Sequence, residues 1–516
     1  MKKMAVCLIV LFCPILVFGT ETAFQSPSFE SPYYRIVFPL SVEQEGWSIQ
    51  GLKVNGQPWE IFFVLKKGAH QNLSHPLEKG DYTIEVDYAW RNGKRYTIEV
   101  LYKGKESSEG EKQVVRLKSP DRGGIPFKRE GFYRVFRAEE PIGTERRGEI
   151  CTLTVTVPKK GFEKSGFILA DGTRLIPFQM LDVGESRPPE KVAATHPVTL
   201  TYRIAFPLDM APHEKKMLLL LRGRPSKARK KGFVITGEGP GKTVRNNHLS
   251  LEFHPPSGQI NVIEDRREGV RLFNEAGVVH WNPGVYIPGI AWDHSFNWNP
   301  PPSFEEIVGE HLYISTRRGP LQRIKDVDLE VRYVLEADAP YFLSETLLTV
   351  KKDLGVSAIR NDEMVLYKGL FDTLVYKDKK GQIVRKPLQE NPSFPDGLVH
   401  VAPDDVEWVG LLNSEKKFGF ISLRLASAHP SPGTSGAWLN KPGTYFYAPS
   451  AGKYVYWVRP LCYTWSEHTT RNLLTHVPAG SLFYEKNAYV LLPEDEALGK
   501  TLESLLRRLK NPVRVY

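Results

Sequence analysis

A chain of 516 residues with 41% hydrophobic and 25% charged residues has the make-up of several ordinary globular domains, which excludes a single small binding module, a disordered chain and a protein of many membrane spans. Its 42 glycines, 39 prolines and 11% aromatic residues predict many turns between short strands, hence a mainly β protein. The net charge of +10 suits an anionic partner but is too dilute for the basic stripe of a nucleic-acid binder, so no nucleic acid is expected.

Lys2 and Lys3 precede an apolar run over residues 4–18, and Gly19 and polar residues follow. Basic, apolar and small-residue sections in that order are the pattern of a secretory signal, so residues 1–19 are expected to be removed after Gly19 and the protein to be secreted or periplasmic. The run is shorter than the roughly 20 residues that span a bilayer, and no later stretch is apolar enough, so no transmembrane segment is expected. Bulky Phe12 before Cys13 argues against a lipoprotein. Cys7 and Cys13 leave with the signal, and Cys151 and Cys462 remain, either paired or both buried thiols.

From Asp81 the sequence alternates apolar Tyr82, Ile84, Val86, Tyr88 and Trp90 with mostly polar neighbours, and the pattern returns at Tyr96, Ile98, Val100 and Tyr102. Asn92-Gly93 between them supplies the positive φ angles of a type I′ turn and predicts a β-hairpin. With the apolar runs near 36–40, 47–54 and 59–65, residues 20–118 read as a small accessory β-sandwich. Asn72-Leu73-Ser74 matches a glycosylation sequon by pattern.

Residues 119–235 read as a second β-sandwich. Cys151, Leu153, Val155 and Val157 alternate with Thr152, Thr154 and Thr156, Asp171-Gly172 marks a tight turn, and strands are predicted near 198–206 and 216–221. The basic run at 222–232 reads as a solvated linker. Residues 236–516 form the third and largest region. Leu249, Leu251 and Phe253 alternate, Ser257-Gly258 turns, and Ile260 and Val262 return. At the end, Glu494, Asp495 and Glu496 precede Leu498, Leu502, Leu505, Leu506 and Leu509 at helical spacing, with Arg507, Arg508 and Lys510 last. Charges so placed suit the helix dipole, and the leucine stripe predicts a helix docked on a sheet.

Several motifs fail on spacing. GEGPGKT at 237–243 is one residue short of a phosphate loop and precedes a strand. The histidines show no zinc-ligand spacing, two mature cysteines cannot make a zinc cluster, and no GxSxG elbow occurs. No cofactor is demanded. Asp404-Asp405 could hold a divalent cation such as calcium, although a solvated acidic turn accounts for the pair as well.

The strand, Ser-Gly turn and returning strand at the head of a large all-β region resemble the opening of the galactose-mutarotase-like β-supersandwich of carbohydrate-active proteins. The stretches at 171–185 and 201–221 resemble the β-sandwich that often precedes that fold. The resemblance implies N-terminal β-sandwich domains followed by a large mutarotase-like β-supersandwich with a C-terminal amphipathic helix. It carries no diagnostic catalytic motif, so it implies carbohydrate work and a polysaccharide or oligosaccharide partner without naming a reaction.

The chemistry is expected around HWNPGVYIPGIAWDHSFNWNPPPSFEE at 280–306, read as a long, proline-broken, aromatic-rich loop. Indole rings cover the apolar faces of sugars, while Asn, Asp and His reach hydroxyl groups. The binding candidates there are Trp281, Tyr286, Trp292, Asp293 and Trp298, joined by Asn361, Glu363, Trp457, Arg459 and Trp465 from later strands. For β-elimination on a uronic-acid glycan, a cation must neutralise the carboxylate while a base removes the adjacent proton. His294, His280, Arg317, Arg318, Arg360 and Tyr463 supply those types, with His294 the preferred acid-base residue. A glycoside hydrolase would instead need two flanking carboxyl groups, for which Asp293, Glu305, Glu306 and Glu363 are candidates. A glycan-binding protein of the cell envelope, in which nothing reacts, is the third alternative.

Overall fold

The computed structural model describes residues 22–516 apart from 25–27, 31–34, 43–44, 60–61, 68, 72–75, 88–94, 104–110, 119–131, 163–165, 172–173, 187–197, 223–231, 275–276, 379, 389–397, 402–405, 432–443, 448–452, 464–473 and 496. The signal segment, the sequon, the Asn92-Gly93 turn, most of the basic run and Asp404-Asp405 lie outside the described residues. The architecture is mainly β: two sandwiches, then a large multi-sheet β domain with one amphipathic helix near its end.

In the first sandwich the alternating residues do what their period dictates. Tyr82, Ile84 and Val86 on the strand Gly80–Asp87 face Ile98, Val100 and Tyr102 on Arg95–Lys103 across one buried core. The expected hairpin is corrected, because these two strands do not pair. Gly80–Asp87 lies between Arg35–Val42 and Phe62–Lys66 in one sheet, whereas Arg95–Lys103 lies between Ser48–Val54 and Glu111–Lys118 in the other. The chain crosses from sheet to sheet, so both edges of each strand are filled by other strands.

The second sandwich packs a sheet ordered Arg174–Ile176, Phe167–Asp171, Lys215–Arg222, Phe132–Glu139, Arg514–Val515 against one ordered Arg146–Pro158, Thr199–Met210, Gln179–Ser186. Cys151, Leu153, Val155 and Val157 point into its core while the threonines between them are exposed, and Cys151 is a buried free thiol. Asp171 pairs with Arg174 across the expected tight turn. The last strand of this sandwich is the chain's own C-terminus: Val515 and Arg514 pair with Ala138 and Glu139. The second sandwich is thus completed by residues read from sequence as part of the third region.

The third domain begins with an antiparallel meander from Val234–Glu238 to Val270–Leu272. Gly237 and Gly239 take positive φ in its first hairpin, where the phosphate-loop look-alike had stood. Ser257-Gly258 turns between Leu249–Phe253 and Ile260–Asp265 as read, with Gly258 at φ +67. A six-stranded sheet, a nine-stranded sheet and the small pair Leu354–Val356 with Thr475–Val477 make up the rest, and one core joins the meander and the two large sheets through Phe253, Ile359, Met364, Trp457, Tyr333, Phe342 and Tyr489.

The other face of the nine-stranded sheet carries Ile314, Val334, Leu343, Trp408, Ile421 and Val490, and on these sit Leu498, Leu502 and Leu506 of the helix Leu498–Lys510. Leu181 and Ala205 of the second sandwich enter the same cluster, so the helix is wedged between domains. Gln179 fastens the joint further, donating to Leu312 O and accepting from the amides of His311 and Leu312.

A buried charge cluster closes the helix end. Arg146 donates to Glu140 Oε1 (2.8 Å), to Glu149 Oε2 (2.7 Å) and to the carbonyls of Arg508 and Asn511. It thereby satisfies carbonyls that the helix terminus leaves open. Burial pushes the Glu140 carboxyl up, but Arg146 and the amides of His213, Thr144 and Ile142 outweigh it and hold it at about 2. Glu336 behaves oppositely. Burial lifts it to about 7, with Glu149 adding to the rise and Tyr341, Arg508 and Lys486 opposing. Glu140, Glu149 and Glu336 thus lie about two guanidinium groups, Arg146 and Arg508.

Candidate site on the outer face of the six-stranded sheet

The proline-broken segment is more regular than a loop. Gly284–Ile287 and Ala291–His294 are short strands at one end of the six-stranded sheet, and Gly284–Ile287 pairs on its other side with Ala358–Tyr367. Pro283 and Pro288 lie just outside these strands, so no ladder donor is lost. Segment and strand, with the neighbouring strand Tyr454–Tyr463, present Trp281, Tyr286, Trp292, His294, Phe296, Arg360, Glu363 and Tyr456 together.

The rings form a connected layer. Trp292 stacks on His294 with centroids 5.3 Å apart and planes 17° apart, and leans on Tyr286 at 5.3 Å. Trp281 meets His294 at 5.9 Å, Phe296 at 5.3 Å and Tyr456 at 6.2 Å. Arg360 lies over the Trp292 ring at 4.3 Å, a cation on a π face. Trp281, Tyr286, Trp292, Phe296, Arg360 and Tyr456 are only partly buried and so keep surface for a ligand.

Beneath the rings runs a chain of polar contacts. Arg360 Nη1 donates to Glu363 Oε1 at 2.8 Å, and Asn282 Nδ2 donates to Glu363 Oε2 at 2.6 Å. Because the carboxylate fixes the amide's orientation, Asn282 Oδ1 faces His294 Nδ1 (2.7 Å) and accepts from it, which leaves Nε2 as the lone-pair nitrogen. Burial, reinforced by the Arg360 charge, pushes the His294 pKa down to about 3. The imidazole is neutral at physiological pH and far from the near-neutral acid-base group expected from sequence. Glu363, buried, is raised above the usual carboxylate range in spite of Arg360 and Asn282. Burial also raises the Tyr456 phenol, with Glu363 adding to it, so this hydroxyl keeps its proton. Gly284 makes the arrangement sterically possible, since a Cβ there would lie 2.5 Å from both Asn282 Oδ1 and His294 Nδ1.

Other expected site residues sit elsewhere. Trp298 is 2% exposed with its indole N–H on Pro320 O, and Trp457 is equally buried, so both are core residues rather than ring platforms. Asp293 accepts from the amides of Arg323 and Ile324 and from Asn297 Nδ2, which commits its carboxylate to holding a turn. Arg318 pairs with Glu305 and Glu330 at the surface, and Glu306 pairs with Lys242. His280 is fully buried and donates to Tyr333 Oη, which donates to Gln259 Oε1; Arg317 donates to the same oxygen. Asn361 is fully buried, and neither amide atom has a partner among the described residues. The side chains of Arg459, Cys462 and Tyr463, and all of Trp465 and His468, lie outside the described residues.

Sequence reasoning missed Asn282 and Gln259. Gln259 Nε2 donates to Asn282 O and to Ser295 Oγ, which links the buried network to the face above. Amide side chains carry no spacing signal, and only the count of polar residues amid apolar ones hinted at them. Among the described residues no three His, Cys, Asp or Glu side chains converge as a metal centre requires, and no helix is long and apolar enough to cross a membrane.

No family model matches the chain. No curated protein matches it either. Similar solved structures include a glycosyl hydrolase family 38 protein from Enterococcus faecalis, at 10% identity and TM-score 0.44 over 74% of this chain and 47% of that one. An alpha-mannosidase from Enterococcus faecalis V583 overlaps at 10% identity and TM-score 0.45, over 74% and 45%. A galactose mutarotase-like protein from Lactobacillus casei ATCC 334 overlaps at 11% identity and TM-score 0.32, over 50% of this chain and 100% of that one. The chain spans a little under half the length of the first two. The solved neighbours thus include galactose mutarotase-like proteins and glycosyl hydrolase family 38 domains, and nothing about chemistry is taken from overlaps of this size.

Proposed function

We propose that this is an exported carbohydrate-active protein that takes an acidic glycan on the aromatic face and cleaves it by β-elimination. The observation that carries the reading is the Arg360 guanidinium lying over Trp292 beside Glu363, amid half-exposed rings. An indole covers one sugar face, and the guanidinium attracts the uronate carboxylate and offsets the charge that grows there when the adjacent proton leaves. In that step the proton on the carbon beside the carboxylate passes to the lone pair of neutral His294 Nε2, the C–H electrons form the new double bond as the C–O bond breaks, and Tyr456, held as a phenol, gives its proton to the leaving oxygen. A two-carboxylate hydrolase has less support. Glu363 is the one carboxyl of the described face, because Asp293 is committed to backbone amides and Glu305 and Glu306 to surface cations.

A second reading has its own observation. His294 is neutral and Arg360 already shares charge with Glu363, so the face could bind a glycan without reacting. One experiment separates them: incubate the protein with acidic and neutral polysaccharides and follow unsaturated-uronide absorbance together with reducing ends. Both signals, lost in Arg360→Gln, support elimination. Reducing ends alone indicate hydrolysis, and retained binding without either signal indicates the non-catalytic protein. Export is tested by mass spectrometry of the mature N-terminus, where Met1 or a lipidated Cys13 would defeat it.

A further inference from the structure

We infer that Arg317 forms an internal oxyanion site, separate from the aromatic face, that takes the two oxygens of a small carboxylate or phosphate. The residue lies on the strand Leu312–Pro320 and is 0% exposed. Its Nη1 is fully committed, donating to Gly258 O and to Gln259 Oε1, both at 2.5 Å, and the plane of the guanidinium lies over Tyr333 at 4.4 Å. The opposite edge, Nε with Nη2, has no hydrogen-bond partner among the described residues. That edge carries two parallel N–H groups, the geometry by which arginine grips a carboxylate or phosphate in bidentate fashion.

Charge leads to the same ligand class. A buried guanidinium without an anion is among the costliest groups a core can hold. Among the described residues no carboxylate pairs with it. The acids on the paired strand Ser303–Val308 are turned to other cations, Glu305 to Arg318 and Glu306 to Lys242. The groups that favour its charged form are Tyr333 and Tyr313, while burial opposes it.

The surroundings are built to hold the side chain in this pose. Gly258, at φ +67, leaves room for its shaft, since a Cβ there would lie 2.9 Å from Arg317 Cδ. Gln259 is fixed in turn by Tyr333 Oη, Asn282 O and Ser295 Oγ, so the committed side of the guanidinium cannot rotate to satisfy the free edge. The fully buried position restricts the ligand to a small anion or to the acid group of a sugar.

The test is a thermal-melt titration of the full-length protein with acetate, inorganic phosphate or D-glucuronate against chloride at constant ionic strength. A ligand bound only by the folded state raises the midpoint in a saturable way. The expected result is a saturable rise of a few degrees with an oxyanion and none with chloride. The rise should vanish in Arg317→Gln and in Arg317→Lys, which keeps the charge but lacks the two-donor edge. A rise with glucuronate alone identifies a sugar acid as the source, and a rise with acetate or phosphate identifies a free ion. No saturable rise in the wild type, an equal rise with chloride, or an undiminished rise in Arg317→Lys overturns the proposal. Should Arg317→Gln not fold, the wild-type titration and Arg317→Lys still decide. Trp292 and Glu363 take no part in this readout, so its failure leaves the reading of the aromatic face standing.

Discussion

Glu336→Gln should make the protein more stable at pH 8 and leave it nearly unchanged at pH 5. The carboxyl moves from an ordinary value near 4.5 to about 7 in the folded state, because burial, with Glu149 beside it, outweighs Tyr341, Arg508 and Lys486. A raised folded-state pKa means that the folded protein binds the proton more tightly than the unfolded chain does. The stability it contributes is therefore complete below pH 4.5 and is lost as pH rises through 7. At about 1.4 kcal/mol per unit, a difference of this size corresponds to roughly 3–4 kcal/mol as an upper bound. Glutamine keeps the shape and the neutral state at every pH. Urea unfolding of both proteins from pH 5 to 8.5 checks the claim, with wild type falling from pH 5 to about 7 and levelling above it, and Glu336→Gln lacking that fall. Equal slopes for the two proteins, or a glutamine variant less stable than wild type at pH 8, would refute the assignment of the proton to this joint. Acid unfolding has a separate cause in Glu140, whose depressed value makes its contribution present above pH 4.5 and lost as pH falls toward 2.

Further outcomes rest on the same geometry. Leu502→Ala, at a fully buried position between sheet, helix and second sandwich, should cost about 2–5 kcal/mol in urea unfolding, and a chain ending at Pro493 should melt lower than the full one. Arg146→Met should cost about 3–5 kcal/mol, because Glu140 stays buried, and Glu149 largely so, without their partner; an unchanged unfolding midpoint would remove the cluster from the stability account. Trp298→Ala should destabilise the fold by about 3–5 kcal/mol, whereas Trp292→Ala should leave the melt in place and weaken glycan binding measured by calorimetry. Gly284→Ala should erase the hydrogen-bonded imidazole N–H signal of His294 in proton NMR, since the added carbon occupies the space of the Asn282 contact.

Much of the fold was legible because alternation and turns are local properties. The period-2 runs at 82–86, 96–102 and 151–157 all became strands with the expected faces buried, and the leucine stripe became the wedged helix. What stayed hidden was pairing. Asn92-Gly93 says that the chain reverses, but not whether the two strands bond to each other, and here other strands took both edges of each. The two-residue strand Arg514–Val515 is too short to carry any period. At the candidate site the aromatic segment and the Arg360–Glu363 pair were legible as polar groups in apolar company. Burial decided the rest. It placed Trp298 and Trp457 in the core and pushed His294 far below neutrality, and neither effect is encoded in residue type.

The return of the C-terminus to the second sandwich has a consequence for biosynthesis. Phe132–Glu139 emerges early, yet the strand that covers its outer edge, and Asn511 that accepts from Arg146, are made more than 300 residues later. At a translation rate of ~5–20 residues per second, the interval between finishing Lys215–Arg222 and reaching Arg514 is roughly 15–60 s. During that interval the nascent sandwich has an open flank of the kind that chaperones recognise and that neighbouring chains can occupy. A polypeptide stalled or clipped before Arg514 would carry the same unfinished edge permanently, so this sandwich stays incomplete until the chain is read through Val515.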